Sequence, residues 1–230
     1  MHTDISPWIS TDAMRPTQGA VGYLEVRFKM QELRERAATP GALEKYLRIH
    51  PIPAVHGPDG RMYLTDHHHM GLALVKLAQA WDESENPAAK NPFRACSFEI
   101  VKDLSQRESM NMRQFFLRME EHHRCHPYDG AGRRIDKLPN YLTELVDDPY
   151  RSLAGLARKA GAYDKVDVPF TEFRWANYLR DKSPSGPDHR TDGGPCNMEG
   201  SAAGQHTRRS CTARLSGHST RGSASHAVSN

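Results

Sequence analysis

The clearest pattern of hydrophobic and polar positions lies between residues 50 and 81. Two short apolar runs, at residues 52–55 and 62–64, flank the sequence Gly-Pro-Asp-Gly, which is typical of a turn. A run with helical spacing follows, formed by Met70, Leu74, Leu77 and Trp81. The pattern predicts a strand, a turn, a second strand and a helix, with Asp66 as the N-cap of that helix.

Upstream of this unit, the chain first alternates between apolar and polar positions and then has a composition typical of helices. Residues 1–15 are expected to form a flexible arm. Residues 18–29 alternate apolar with polar positions, which predicts a strand. Residues 30–47 predict two short helices separated at Pro40-Gly41, because proline and glycine both interrupt helices.

Downstream of the unit the pattern is mainly helical. Residues 95–101 predict a strand, and residues 109–123 predict a helix. Another helix is expected from Pro149, a favoured first-turn residue, to a stop at Gly161. Its apolar stripe is formed by Tyr150, Leu153, Ala157 and Ala160. With a last helix at residues 171–180, the early alternation and helical second half predict an α+β fold.

The composition changes after residue 180. The last 50 residues contain 9 serines, 7 glycines and no aromatic residue, so they cannot bury a core. We therefore expect a folded domain over residues 16–180 and a disordered tail over residues 181–230. The abrupt start of the tail has two explanations, a linker or a reading-frame shift in the coding sequence.

Charge and cysteine content narrow the classes of function. A formal net charge of +3 does not by itself predict strong nonspecific binding to nucleic acid. No apolar run approaches the roughly 20 residues that a membrane helix needs, so no membrane partner is expected. The N-terminus lacks the features of a secretory signal. Four cysteines without a Cys-x-x-Cys pair predict reduced thiols and a cytoplasmic protein.

Four polar residues occupy the junction between the second strand and the helix: Asp66, His67, His68 and His69. A helix N-terminus disfavours positive charge, so the histidines are expected to be neutral, the form that binds metal or accepts a proton. We predict His67, His68 and His69 as candidate catalytic residues. We also predict Asp66, His68 and His69 as ligands of a divalent metal ion of unknown identity. The alternative is a plain cap at Asp66, with one histidine packed and two solvated.

Other polar positions are candidates for the same site. Arg151 and Arg158 lie on the helix that begins at Pro149, and they are candidate phosphate-binding residues because guanidinium groups bind phosphate bidentately. His56, at the end of the first strand, and Asp103, after the third, are further candidates. Ordinary roles stay open for them: a solvated helix face, a strand end and a turn.

Several segments of the chain resemble the ParB-like nuclease family, within the broader ParB/sulfiredoxin superfamily. These segments are PTQGAVGYLEV (16–26), PIPAVHGPDGRMYLTDHHHMGLAL (51–74), DLS (103–105), DDPYRSLAGLARKAGAY (147–163) and PFTEFRWANYLR (169–180). The resemblance implies an α+β fold with a small mixed sheet of the ParB/sulfiredoxin type. ParB proteins carry a Gly-x-x-Arg box after the second strand of this unit, whereas this chain has Asp66 in place of the glycine and His69 in place of the arginine.

The resemblance also implies a class of function. It points to a protein that acts on a phosphate ester, DNA or a nucleotide, through the histidine-rich junction. A metal-dependent nuclease or phosphoesterase is one form of this function. A nucleotide-binding switch or small-molecule kinase of the same superfamily and a noncatalytic DNA-binding module are the alternatives, and the oligomeric state stays open.

Overall fold

A computed structural model of the chain describes residues 7–84, 90–107, 109–164, 166 and 168–183. The strands are β1 (Trp8–Ser10), β2 (Met14–Arg15), β3 (Ala20–Val21), β4 (Ile52–His56), β5 (Met62–Leu64), β6 (Ala95–Asp103) and β7 (Val146–Asp147). The helices are α1 (Tyr23–Ala37), α2 (Ala42–Ile49), α3 (His68–Asp82), α4 (Met112–Glu121), α5 (Pro149–Lys159) and α6 (Thr171–Lys182). The predicted α+β fold is confirmed.

Five strands form one mixed sheet in the order β1-β6-β4-β5-β2. The central hairpin pairs β4 with β5 in antiparallel fashion, and β6 runs parallel to β4 on its other side. β1 is antiparallel to β6, and β2 is parallel to β5. A separate parallel pair joins β3, which precedes α1, to β7, which precedes α5. This pair brings the beginnings of α1 and α5 close together.

The main hydrophobic core lies around α3. Leu72 and Leu74 of this helix are fully buried and belong to one cluster with Ile52 and Leu64 of the hairpin and Leu33 of α1. A second cluster is built around Phe115 of α4 and Tyr63 of β5, whose ring centroids are 4.6 Å apart. The hairpin is therefore packed on both sides, against α3 in the main cluster and against α4 in the second.

Three sequence predictions are confirmed around this core. The unit predicted between residues 50 and 81 forms β4, β5 and α3. Gly60 in its turn has a φ of 76°, which glycine adopts without strain. The break at Pro40-Gly41 separates α1 from α2, and Gly41 has a φ of 73°. Pro149 occupies the first turn of α5, as its position in the sequence indicated.

Two predictions for the N-terminal segment are corrected. From Trp8 onward, the segment predicted as a flexible arm belongs to the fold, because β1 pairs with β6 and Met14 is buried. Residues 18–29, predicted as a strand, contain only the two-residue β3 and then begin α1 at Tyr23. The alternation is too short to specify a strand against the good helix propensity of the Glu, Lys, Arg and Gln residues that follow.

α5 buries a different face from the one predicted. Leu153 is 48% exposed, whereas Arg151 is only 9% exposed. Tyr150, Ala154 and Gly155 are buried on the same helix, which contacts both α1 and α6. Because small residues face the neighbouring helices, α5 approaches them closely and directs Arg151 inwards.

α6 continues to Lys182, two residues beyond the predicted domain boundary at residue 180. Of the tail predicted over residues 181–230, only residues 181–183 are described, so the rest of that prediction lies outside the described residues. Cys96 and Cys125 are buried free thiols. Within the described parts of the chain, none of the helices combines the length and the apolar character of a membrane span.

Candidate functional site

A cleft of about 620 Å³ opens between the start of α3, the first half of α1 and α5, and its volume lies in the usual range of small-molecule sites. Six of the predicted site residues line it: Asp66, His67, His68, His69, Arg151 and Arg158. The tertiary structure adds residues that the sequence did not single out as site residues, among them Glu25, Lys29, His123, Lys159 and Glu172.

The strand–helix junction has a different backbone from the predicted one. The residue immediately before α3 is His67, with φ 59° and ψ 27°, so the prediction of Asp66 as N-cap is wrong. Asp66 instead accepts a hydrogen bond from the backbone N–H of His67 at 2.6 Å. At this left-handed turn His67 stays exposed, whereas His68 is buried and His69 is half-buried.

His68 fixes the segment that precedes α1. Its Nε2 accepts a hydrogen bond from the backbone N–H of Thr17 at 3.1 Å. The Thr17 hydroxyl in turn donates to the carbonyl oxygen of Leu64 at 2.5 Å. Burial lowers the pKa of His68 to about 3, so the ring is neutral and carries its proton on Nδ1. One imidazole therefore ties α3 to β5 and to the Thr17 segment.

His69 makes the same kind of contact one residue later. Its Nε2 accepts a hydrogen bond from the backbone N–H of Gly22 at 3.2 Å, just before α1 begins. Burial, helped by the positive charge of Arg151, holds the pKa of His69 well below its usual range. The two inward histidines together position the chain from Thr17 to Gly22 and so place the first turn of α1 at the cleft.

The predicted metal ligands are not brought together by this arrangement. A metal ion at His68 and His69 would need their Nε2 lone pairs, and both lone pairs face backbone N–H groups. The Asp66 carboxylate is engaged by the backbone of His67. Across the described ranges, no group of three or more His, Cys, Asp or Glu side chains has the spacing of a metal site. The geometry does not fit a divalent ion at Asp66, His68 and His69.

Arg151 and Glu25 form a buried ion pair inside the cleft. Nη1 of Arg151 lies 2.6 Å from Oε2 of Glu25, and both side chains are 10% exposed. Burial raises the pKa of the Glu25 carboxyl, and the neighbouring Arg151 opposes this rise. The Nε atom of Arg151 is buried and has no hydrogen-bond partner among the described residues. Arg151 is therefore incompletely hydrogen-bonded in the described part of the chain.

Further charges surround this pair. Arg158 is paired with Glu172, which connects α5 to α6. The ammonium group of Lys159 lies 5.9 Å from the centre of the Phe28 ring on α1. On α1, Lys29 donates to Glu32 and, at 3.1 Å, to the hydroxyl of Tyr46. The α5 side of the cleft is thus the side with concentrated positive charge.

His56 and Asp103 do not join the other predicted site residues. They face each other on the parallel strands β4 and β6, with Nδ1 of His56 at 3.3 Å from Oδ1 of Asp103. Asp103 also accepts hydrogen bonds from the backbone and hydroxyl of Ser105, so it stabilises the turn after β6. Neither residue is among the described residues that line the cleft.

Glu25 is the central residue that the sequence reasoning missed. The sequence predicts a strand over residues 18–29, and in such an alternating pattern a polar residue like Glu25 is an ordinary member. Gly155 is the signal that could have found it, because a glycine inside a helix costs about 1 kcal/mol relative to alanine and often marks a close approach. Here the approaching group is the carboxylate of Glu25.

The chain is similar to known proteins over the region that contains the cleft. Residues 8–181 match the family described as "Putative ParB-like nuclease". The crystal structure of protein Atu1540 from Agrobacterium tumefaciens is similar, with a TM-score of 0.61 and 36% sequence identity, over 77% of this chain and 80% of that chain. No curated protein matches the chain closely enough to be counted as a relative. The family match spans every cleft residue from Gln18 to Phe173.

Proposed function

The chain belongs to the ParB-like nuclease family, and we propose on that basis that its cleft binds a phosphate ester, either a nucleotide or the backbone of DNA. The phosphate would bind at Arg151, and the rest of the ligand would lie along Arg158 and Lys159. The observation that carries the proposal is the buried guanidinium of Arg151, which lines the cleft while its Nε has no acceptor in the described part of the chain.

Arg151 is suited to this role by its chemistry and by its position. A guanidinium group can bind two phosphate oxygens at once, and a charged hydrogen bond is stronger in a buried setting than in water. Its backbone is fixed at the start of α5, where its N–H donates to the carboxylate of the N-cap Asp148 at 3.1 Å. A prearranged backbone reduces the entropy lost when a ligand binds.

The three histidines have different roles in this proposal. His68 and His69 are positioning residues, because their rings hold Thr17 and Gly22 and so place α1 against the cleft. His67 is exposed at the mouth of the cleft, where its ring can meet a ligand. The proposed binding of phosphate therefore depends on side chains from α5 and on a scaffold built by the junction.

Hydrolysis of the bound ester is a second candidate function. It is favoured by the nuclease activity that the family description names and by the exposed position of His67. In this reaction His67 would accept the proton of an attacking water, and Arg151 would stabilise the negative charge that develops on the phosphoryl group. Both residues line the same cleft.

Binding is tested with the full chain and a fluorescently labelled oligothymidylate. We expect saturable binding that Lys159→Ala weakens about fivefold, which corresponds to about 1 kcal/mol. Lys102→Ala removes an exposed lysine from β6, outside the cleft, and serves as the matched control that leaves binding unchanged. No saturable binding by the wild type, or equal weakening by the two variants, would overturn the proposal.

Hydrolysis is tested separately with bis(4-nitrophenyl) phosphate, which releases a coloured product. We expect His67→Ala to abolish turnover while the unfolding temperature stays close to that of the wild type. His122→Ala, at the exposed end of α4, is the control for loss of a histidine outside the cleft. An inactive wild type would leave binding without hydrolysis as the function, whereas a fully active His67→Ala variant would overturn the role of His67 as the proton acceptor.

A further inference from the structure

Glu25 projects from the first turn of α1 into the space beside Arg151. Its Oε2 lies 2.6 Å from Nη1 of Arg151 and 3.3 Å from Nε2 of His69. The Glu25 side chain lines the cleft although it is only 10% exposed. A carboxylate of the protein itself therefore occupies an anion position at the guanidinium to which a ligand phosphate would bind.

The missing side chain at residue 155 makes room for this carboxylate. A Cβ atom added at Gly155 would lie 2.4 Å from Oε1 and 2.7 Å from Oε2 of Glu25. The three heavy atoms nearest to that Cβ all belong to Glu25. Gly155 is thus the position at which α5 accommodates the Glu25 carboxylate, and an alanine there would push the carboxylate away.

The contacts of Glu25 leave the surrounding groups incompletely satisfied. The backbone N–H of Gly22 already donates to Nε2 of His69, so the neutral ring presents no proton to Glu25 on that side. Glu25 engages Nη1 of Arg151, whereas Nε of Arg151 has no acceptor within the described ranges. A phosphate group has enough oxygens to satisfy several guanidinium N–H groups at once.

We propose that Glu25 is an internal anion that competes for Arg151, so that a phosphate ester binds to the cleft by displacing it. This inference rests on the proposed function of the cleft and adds a means of regulating it. An ionised carboxylate and a phosphate repel each other when they share one guanidinium. Ligand binding is therefore coupled to the departure of Glu25 from Arg151.

The other charges around Glu25 favour such an exchange of anions. The positive charges of Arg158 and Lys159 on α5, like that of Arg151, lower the pKa of the Glu25 carboxyl. The negative charge of Glu172 on α6 raises it. When the carboxylate leaves, this positive charge becomes available to the phosphate. The flexible side chain of Glu25 can move without displacing the backbone of α1, because its contacts with Arg151 and His69 are made by the carboxylate oxygen alone.

Two variants of the full chain separate the charge of Glu25 from its position. Glu25→Gln removes the negative charge, and Gly155→Ala keeps the charge but displaces the carboxylate from its place beside α5. Glu35→Gln makes the same charge change at an exposed position of α1 and is the matched control. The probe is a thymidine dinucleotide, whose phosphodiester keeps one negative charge across the working pH range.

We expect Glu25→Gln to bind the dinucleotide about tenfold more tightly than the wild type, because one like charge has been removed at short range. Gly155→Ala should also bind more tightly, and Glu35→Gln should bind as the wild type does. Thermal unfolding of each variant checks that the chain is folded. If the wild type binds while Glu25→Gln and Gly155→Ala bind equally well or more weakly, the competition is overturned and the phosphate site stands. If the wild type and all variants fail to bind, the proposed function is overturned as well.

Discussion

Three successive histidines at the start of α3 lie in three different environments. His67 is exposed and adopts a left-handed conformation, His68 is fully enclosed, and His69 is half-buried beside Glu25. His67 points elsewhere because its left-handed backbone lies before the helix, and His68 and His69 differ because neighbouring residues on a helix point in directions about 100° apart. Two identical side chains therefore hold the chain before α1, and the third faces the cleft mouth.

We predict that His68→Ala destabilises the protein by roughly 2–4 kcal/mol, because it opens a cavity and leaves the buried N–H of Thr17 without its acceptor. His67→Ala is the matched control, and its exposed ring should change the free energy of unfolding by less than about 1 kcal/mol. The measurement is chemical denaturation at neutral pH. Equal effects of the two substitutions would show that the Thr17 contact contributes little.

The buried histidines also predict an acid-sensitive fold. Burial lowers the pKa of His68 to about 3 and that of His126 to about 4. Below the unfolded pKa of about 6.5, these rings gain a proton in the unfolded chain but not in the folded chain, so stability falls as the pH decreases. Each of the two should remove about 2 kcal/mol between pH 7.5 and pH 5.

Denaturation at these two pH values tests the prediction. His126→Phe keeps a ring between the rings of Tyr128 and Phe173 and should reduce the loss by about 2 kcal/mol. His122→Ala, which removes an exposed histidine, should show the same loss as the wild type. A fold whose stability is unchanged down to pH 5 would contradict the assignment of neutral buried histidines.

Among the helices, α5 and α6 are joined by one buried carboxylate. Asp148 accepts hydrogen bonds from the backbone N–H groups of Tyr150 and Arg151, which caps α5. Its second oxygen accepts from Nη2 of Arg180 on α6 at 2.8 Å, and the same nitrogen donates to the carbonyl of Gly130. The position of Arg151 in the cleft thus depends on a cap that also fixes the neighbouring helix.

We predict that Asp148→Ala costs roughly 3 kcal/mol of stability, because it removes a helix cap and leaves the Arg180 charge without its carboxylate. Asn111→Ala removes the exposed cap of α4 and should cost only about 1 kcal/mol. Both free energies are measured by urea denaturation. Similar costs for the two caps would indicate that the Arg180 pair adds nothing to the capping of α5.

In the chain as a whole, the cleft is assembled from segments far apart in the sequence. The parallel pairing of Ala20 and Val21 with Val146 and Asp147 brings α1 next to α5, and the junction histidines bring α1 next to α3. The Nε2 lone pairs of His68 and His69, which a metal ion would need, accept hydrogen bonds from backbone N–H groups. A phosphate in the cleft would therefore bind to the side chains directly and not through a metal ion held by His68 and His69.

We predict that binding of the labelled oligothymidylate to the full chain is unchanged by a metal chelator. The reason is that Nε2 of His68 and Nε2 of His69 are bonded to backbone N–H groups, so a divalent ion would have to break both contacts. Binding is compared with and without excess EDTA, with magnesium and zinc added back. Loss of binding in EDTA that either ion restores would contradict the prediction.

Local sequence patterns were sufficient to predict several elements of the fold. The alternation of apolar runs, turn residues and helical spacing between residues 50 and 81 predicts β4, β5 and α3, because each depends mainly on contacts within that segment. The start of α5 at Pro149 could be predicted in the same way, because proline is favoured in the first turn of a helix whatever that helix packs against. The junction could be singled out from the sequence because strand ends and helix starts are common ligand sites, and Arg151 and Arg158 because guanidinium groups bind phosphate bidentately.

The roles of the cleft residues depended on tertiary contacts. A sequence does not show that His68 and His69 turn their Nε2 atoms to Thr17 and Gly22, so it predicted metal ligands where the structure has hydrogen-bond acceptors. Nor does it show that Glu25 meets Arg151, which lies 126 residues away along the chain. Such contacts arise when β3 pairs with β7 and Gly155 allows α1 to approach α5. They depend on packing between distant segments, and hydrophobic periodicity records only which face of each segment is buried.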